Sequence, residues 1–408
     1  MTISFGLGTL IIKDARAPGP LYTYYMTRRD LAKLAGATAL LQKQVVAADT
    51  PKYTGALDGF MDKVNGAGFD PVLFTHKLYE SAALRLSFQA TNRKDAEQWQ
   101  RNLKAKISEL LGGFPLKRPP LLSQTLEVRE FPGYRRERFV FQSRTDSWVL
   151  GYLLTPKPAR ALNATMVCVT GHGRGVDDIV GIDEKGQDRT VKEGYAYDFA
   201  IQAVEHGMAA VAIEPMAFGC RRDAITKAHN LTASACQPAA GAALLLGQTM
   251  IGWRVYDVMR TIDWIETRPE LDAHRVGCMG ISGGGTCTMF AAVFEPRIRA
   301  AMVSCYLNTF RDSIMSVSHC IDNYVPGILS WAEMYDVAGL IAPRPLFVES
   351  GERDTIFPIE ASRASFERVK KIYEVFGAGA LTEQETFDGP HSFWGKRGLP
   401  FLARHLAV

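Results

Sequence analysis

Ser282, in the pentapeptide Gly280-Ile281-Ser282-Gly283-Gly284, stands where this chain could build a nucleophile. The run from Arg275 to Gly280 before it reads as a buried strand, and Gly284 to Phe294 after it reads as a helix packed closely through glycine, alanine and cysteine. A G-x-S-x-G turn between a strand and a helix holds its serine in a strained conformation with the hydroxyl exposed. The flanking glycines remove the Cβ atoms that would clash there. The same pentapeptide also arises by chance in glycine-rich chains, so its weight rests on what surrounds it.

A serine hydroxyl attacks at neutral pH only when an imidazole takes its proton, and the imidazole needs a carboxylate to fix its tautomer and stabilise its charged form. Both occur downstream. Pro345 to Glu349 reads as a buried strand, and the loop from Ser350 to Pro358 after it carries Asp354, 72 residues past the serine (354 − 282). A further strand, Leu381 to Phe387, leads into Asp388-Gly-Pro-His391, 37 residues beyond the acid (391 − 354). Glu349 and Glu352 crowd the same strand end. Asp354 is the preferred acid because the Gly351-x-x-Asp354 spacing leaves room for a turn that points it back. His391 is the histidine that follows the last strand, whereas His206, His274 and His405 sit at expected element ends and His76 lies in the amino-terminal region.

Acyl transfer also puts negative charge on a carbonyl oxygen, which needs backbone N–H groups already aimed at it. The amide of Gly283 is one donor. The loop Thr170-Gly171-His172-Gly173-Arg174-Gly175, after the apolar strand Thr165 to Thr170, supplies the second from Gly173 or Arg174. His172 reads as a structural histidine bordering the pocket rather than as a base. A phosphate-binding glycine loop is the other meaning of this run. It lacks the lysine and the Ser/Thr of a P-loop, and no G-x-G-x-x-G with a later acid is completed.

With these residues in place the chain resembles the α/β-hydrolase superfamily, and more narrowly its acetyl-xylan-esterase-like and dienelactone-hydrolase-like branch, over residues 119 to 408. The resemblance rests on the Gly171 to Gly175 loop, a helix from Trp253 to Arg275 ending in Arg268-Pro-Glu-Leu-Asp272, the serine turn, Ile341-Ala-Pro-Arg-Pro345 and Gly389-Pro-His-Ser392. Two departures matter. Ser282 stands where dienelactone hydrolases carry cysteine, and Ile281 stands where many peptidases on this fold carry a bulky aromatic. The resemblance implies a mostly parallel central sheet with an antiparallel start and helices on both faces. It further implies a serine carboxylesterase for short acyl esters, acetyl groups on carbohydrate foremost, working without metal or cofactor. A peptidase or amidase on the same fold, and a non-catalytic binding protein, are the competing readings.

The elements that must position these residues are legible in outline. Gln124 to Glu130, Tyr134 to Gln142 and Trp148 to Leu154 alternate like strands, joined by Phe131-Pro-Gly and Ser143-Arg-Thr-Asp turns, after which strands and helices alternate to the end. Residues 51–118 read as a helical appendage, with cap chemistry from Thr91-Asn92 and Trp99, Leu103, Ile107 and Leu110 at helical spacing before Gly112-Gly113. Two insertions leave the carboxyl ends of strands, Glu214 to Gln248 and Tyr306 to Tyr335. Tyr306, Phe310, Tyr324 and Trp331, with Trp394 after the histidine, are candidates to line the cleft, and Arg221 and Arg222 to brace their loop against acids.

At 408 residues and 47% hydrophobic content the chain can bury one large core and a small appendage. Its net charge of +4, without a basic run or basic-aromatic alternation, argues against nucleic acid, and no apolar stretch reaches membrane-spanning length. Seven cysteines are an odd number; Cys168, Cys278, Cys287 and Cys305 fall on expected core elements, and no C-x-x-C or H-E-x-x-H suggests zinc. Residues 1–50 form an amino-terminal extension. Within it Arg28-Arg29, the apolar segment to Leu41 and Val46-Ala47-Ala48 read as a twin-arginine export signal starting at Met26, with Gln42-Lys43-Gln44 interrupting it.

Overall fold

In the computed structural model the backbone is described for residues 2–6, 9–13 and 24–25, and the chain for 55–64, 66–158, 162–189, 191–229 and 235–408. The twin-arginine segment lies outside the described residues. The chain divides into two compact units, Met1–Phe69 and Asp70–Val408.

The second unit is built on a nine-stranded sheet: β1 Gln124–Glu130, β2 Tyr134–Arg144, β3 Ser147–Pro156, β4 Asn163–Val169, β5 Ala209–Ile213, β6 Leu271–Ile281, β7 Ile298–Ser304, β8 Leu346–Gly351 and β9 Thr382–Phe387. Their spatial order is β9-β8-β7-β6-β4-β5-β3-β2-β1. The first three strands pair antiparallel, as does β3 with β5, and the six from β4 onward run parallel. The alternation explains the difference. β2 can pack one face and wet the other, whereas β4, β5 and β8 are buried at every position and need helices on both sides.

Those helices include α1 Pro71–Glu80, α2 Arg93–Leu110, α3 Phe199–Glu205, α4 Cys236–Leu245, α5 Met250–Ile265, α6 Gly283–Phe294, α7 Ile359–Val375 and α8 Gly398–His405. One large core holds side chains of α2, α5, α6 and α7; a second, holding β4, α3 and α8 side chains, covers the other face.

Two expectations shift. The compact unit begins at Asp70, because α2 carries Ala96, Trp99, Leu103 and Ile107 into the main core rather than into an appendage of its own. Burying a large apolar side chain is worth about 1.5–3 kcal/mol, so this stripe could not stand in water without a large loss. The helix expected from Trp253 to Arg275 ends at Ile265, and β6 has already begun at Leu271. Pro269 lacks the N–H that would continue a helix and biases its predecessor toward extended backbone.

Candidate active site

The chain reverses direction across the sheet at β4, whose neighbours are β5 on one side and β6 on the other. Such a switch point opens a crevice at the carboxyl ends of the strands. Val169 pairs with Gly280 and Ser304 with Ile281, so the loop after β4 and the start of the segment after β7 lie on either side of Ser282.

Ser282 occupies the turn between β6 and α6 with φ 59° and ψ −123°, a conformation that costs a non-glycine residue on the order of 1–3 kcal/mol. Its N–H donates to the Ser304 carbonyl at 3.0 Å, and its carbonyl accepts from Thr286 N–H at 2.9 Å. The close approach that this demands fixes the glycines. A Cβ on Gly284 would stand 1.9 Å from the Val169 carbonyl oxygen, and one on Gly171 would stand 3.0 Å from the Ser282 Cβ.

Asp354 and His391 meet at the ends of β8 and β9. Asp354 Oδ2 is 2.6 Å from His391 Nδ1, while Oδ1 accepts the N–H groups of Ile356 at 2.8 Å and Phe357 at 3.0 Å. The carboxylate is therefore pinned at both oxygens. The rivals for its place are engaged elsewhere. Glu349 accepts from Ser304 Oγ at 2.6 Å and from the N–H groups of Trp394 and Gly395, and exposed Glu352 takes Arg363 at 2.8 Å. Burial pushes the Glu349 carboxyl up to about 7.

The imidazole of His391 lies nearly parallel to the rings of Tyr195 and Phe357, at interplanar angles of 16° and 20°. Its Nε2 has no hydrogen-bond partner among the described residues. Ser282, Gly283, His172 and His391 line one cleft of about 420 Å³ together with Tyr195, Val317, Ser318, His319, Cys320, Asn323, Thr355, Ile356 and Phe357.

Gly283 opens α6, so its N–H has no carbonyl one turn back within the helix, and the residue lines the crevice. Arg174 does not share this role. Its N–H donates to Asp178 Oδ2 at 2.8 Å and its guanidinium to Asp178 and the Ile182 carbonyl, because Asp178, four residues on, folds back under the loop. Gly173 remains the donor candidate on that side. The loop is braced twice more: Tyr195 Oη donates to the His172 carbonyl at 2.7 Å, and Val176 N–H donates to Glu214 Oε1 at 3.0 Å. Burial pushes the Glu214 carboxyl up to about 8.

Of the expected pocket aromatics, none lines this cleft. Tyr306 is fully buried against Phe357; Tyr324, 40% exposed, faces a separate groove with Tyr79 and Phe310. Trp331 stacks under the Arg85 guanidinium, and Trp394 stacks on Phe387 beside another hollow. The insertion from Tyr306 to Tyr335 does wall the cleft, but through Val317 to Cys320 and Asn323. Arg221 braces its loop as expected, pairing with Asp257 at 2.8 Å, and Arg222 Nε donates to the Gly219 carbonyl.

Sequence reasoning missed Tyr195, His319 and Phe357. His319 Nε2 lies 2.9 Å from Ser313 Oγ, and burial lowers its proton affinity below that of an ordinary imidazole. It also missed a knot of polar groups behind His172. There Arg254 contacts Asp322 and Cys236, and a hydrogen bond from Cys320, helped by His172 and the guanidinium, pulls the Cys236 thiol well below the usual thiol range against the effect of burial.

A strained serine on a strand-to-helix turn, at the switch point of this sheet, places the fold among the α/β-hydrolases. Residues 74–385 match the model of the Abhydrolase family, and the chain belongs to that family. A Bacillus subtilis protein named as a hydrolase, YtaP, is 24% identical over 280 residues, covering 67% of this chain and 87% of its own. Among solved structures, a Bacteroides fragilis protein named as an acetyl xylan esterase superposes with a TM-score of 0.66 at 19% identity, over 78% of this chain and 82% of its own. A glucuronoyl esterase from Solibacter usitatus superposes with a TM-score of 0.59 at 14% identity, over 78% and 96%.

Proposed function

We propose that this protein is a serine carboxylesterase that removes short acyl groups, acetyl groups on carbohydrate foremost, through an acyl-enzyme intermediate. The observation that carries this reading is the pairing of Asp354 with His391 Nδ1, which leaves the opposite nitrogen without a partner in the cleft that also holds the strained Ser282. In the proposed reaction His391 Nε2 takes the Ser282 proton as Oγ attacks the ester carbonyl, and Asp354 holds the tautomer that keeps Nε2 an acceptor. The Gly283 N–H, with Gly173, receives the oxyanion. Collapse of the tetrahedral adduct releases the alcohol with the proton from His391, and water then deacylates Ser282 by the same relay.

The choice of ester over amide draws support from the names of the structural relatives, an acetyl xylan esterase and a glucuronoyl esterase, and the choice of acetyl from the first of them. Hydrolysis of p-nitrophenyl esters from acetate to decanoate, beside acetylated xylan, tests it. Acetate is expected to be the best of the series, and a preference for octanoate over acetate would reject the short-chain reading. We also propose export by the twin-arginine route: Arg28→Lys with Arg29→Lys should strand the protein in the cytoplasm, and an exported form that still begins at Met26 would reject cleavage near Asp49.

A further inference from the structure

Four side chains of metal-binding type converge at the edge of the cleft, His172 and Cys320 on its wall and Cys236 and Asp322 buried beside them, and the proposed hydrolytic reaction uses none of them. His172 comes from the loop after β4, Cys236 from the first position of α4, and Cys320 and Asp322 from the segment after β7. One donor atom from each lies within 4.8 Å of every other. His172 Nε2 is 3.5 Å from Asp322 Oδ2, Cys236 Sγ is 3.5 Å from the same oxygen, and Cys236 Sγ is 4.0 Å from His172 Nε2.

These separations can be compared with a coordination shell. Zinc holds thiolate sulfur at about 2.3 Å and imidazole or carboxylate at about 2.0–2.2 Å, which in a tetrahedron sets neighbouring donors about 3.3–3.8 Å apart. The three distances therefore need adjustments of a few tenths of an ångström at most. Charge closes as well. Two thiolates and a carboxylate carry three negative charges, which a divalent cation and the buried Arg254 guanidinium, in contact with both Asp322 and Cys236 Sγ, would balance. An outer shell is in position: Arg254 also donates to the Met216 carbonyl, and Asn323 Nδ2 donates to Asp322 Oδ1 at 2.9 Å.

We propose that His172, Cys236, Cys320 and Asp322 bind one thiophilic divalent cation, zinc by preference, in a closed four-ligand site beside the nucleophile. Sulfur and imidazole donors select zinc over calcium or magnesium, and four protein ligands leave no position for substrate. The ion acts by position. His172 belongs to the loop that faces Gly283, where a Cβ would stand 3.4 Å from the imidazole ring, so anchoring that ring fixes the loop carrying Gly173. The ligands are spread over 150 residues (322 − 172), which is why no short metal motif announces them.

The test is a cobalt(II) titration of the full-length, reduced, metal-stripped protein. We expect saturation at one equivalent per chain, with a sulfur-to-cobalt charge-transfer band and the intense ligand-field absorption of tetrahedral cobalt, both displaced by zinc. Cys236→Ser with Cys320→Ser should abolish the bands, Cys320→Ser alone should weaken binding at least tenfold, and Cys220→Ser, an exposed cysteine outside the cluster, should leave it unchanged. Near-ultraviolet circular dichroism checks that each variant is folded. Absence of a saturable band in the parent, its survival in the folded double variant, or recovery of a Cys236–Cys320 disulfide from metal-free protein purified with zinc overturns the proposal. Since the readout is spectroscopic, it stands or falls separately from the hydrolase reading, which fails only if ester hydrolysis fails.

Discussion

His391 is constrained on the sides that matter to the proposed proton transfer: one nitrogen is bonded to Asp354, the ring plane is set beside Tyr195 and Phe357, and the other nitrogen has no hydrogen-bond partner among the described residues. Residues that act as a unit give non-additive losses. Ser282→Ala and His391→Ala should each lower kcat by about three or more orders of magnitude, with the double variant little worse than either. Independent, multiplicative losses would break the assignment. Steady-state kinetics of Asp354→Asn and Glu352→Gln provide the companion measurement. The first should be far slower, since only the residue bonded to Nδ1 sets the tautomer, while Glu352 is tied to Arg363 at the surface.

Glu349, on the strand that leads to the Asp354 loop, makes a different prediction. Burial raises its carboxyl from 4.5 to about 7 in the folded chain. Below pH 4.5 the group is protonated in both states and contributes no slope. Between pH 4.5 and about 7 the folded chain retains a proton that the unfolded chain has released, so this group lowers stability as pH rises, and above that the loss is constant. Glu349→Gln removes the slope. The difference in Tm, variant minus parent, should therefore grow across that window, and a flat difference would mean that Glu349 ionises normally.

The placement of the three residues proposed for catalysis was legible because each obeys a local rule: Ser282 in its glycine turn, Asp354 and His391 on loops that follow apolar strands. The cleft walls were not. Whether Tyr306 or His319 faces the crevice depends on how an irregular segment folds between β7 and β8, and aromatic content says nothing about direction. Tyr306, two residues past the strand end, is drawn into the core against Phe357, while Val317 to Cys320 come back over the opening.

At the scale of elements, the junction of β6 with α6 is where packing leaves least room. Gly284→Ala would drive a Cβ to 1.9 Å from the Val169 carbonyl oxygen, a backbone atom that cannot rotate away, so the helix must move off the sheet. Overpacking of this kind costs about 1–3 kcal/mol or more, and Gly284→Ala is expected to unfold well below the parent and to lose activity with it. Gly241, inside α4, has no positive φ, and a Cβ added there would meet nothing within 4 Å. Gly241→Ala should gain about 0.5–1 kcal/mol from helix propensity. Thermal scans of the pair decide the point, and equal shifts would contradict the close approach at β6. Strand positions from β1 to β9 were readable from alternation and apolar runs to within two residues at most ends. The main exception was the start of β6, where Leu271 to Arg275 continued the helical pattern of α5 in sequence although Pro269 had already broken it.

For the whole molecule, the division at Phe69 and Asp70 matters more than any single contact. The helical segment expected to stand apart is instead one wall of the core, since Trp99 not only buries its ring but donates Nε1–H to the Leu86 carbonyl at 2.7 Å. That tertiary choice could not be read from the helix alone, whose periodicity fits an appendage and a core wall equally. A chain comprising residues 70–408 should keep esterase activity and a Tm within about 2 °C of the full chain, whereas removal of residues 70–110 as well should abolish both. A large fall in Tm on the first truncation would show that the sheet domain depends on what precedes it.

The central claim is that Ser282 is the nucleophile. Treatment of the full-length protein with a fluorophosphonate, followed by peptide mass spectrometry, tests it most directly, because the reagent phosphonylates only a serine activated within an assembled site. The expected result is one adduct per chain, on Ser282, formed in step with the loss of ester hydrolysis and absent from Ser282→Ala and His391→Ala. An adduct on another residue, or undiminished hydrolysis by Ser282→Ala, would contradict it.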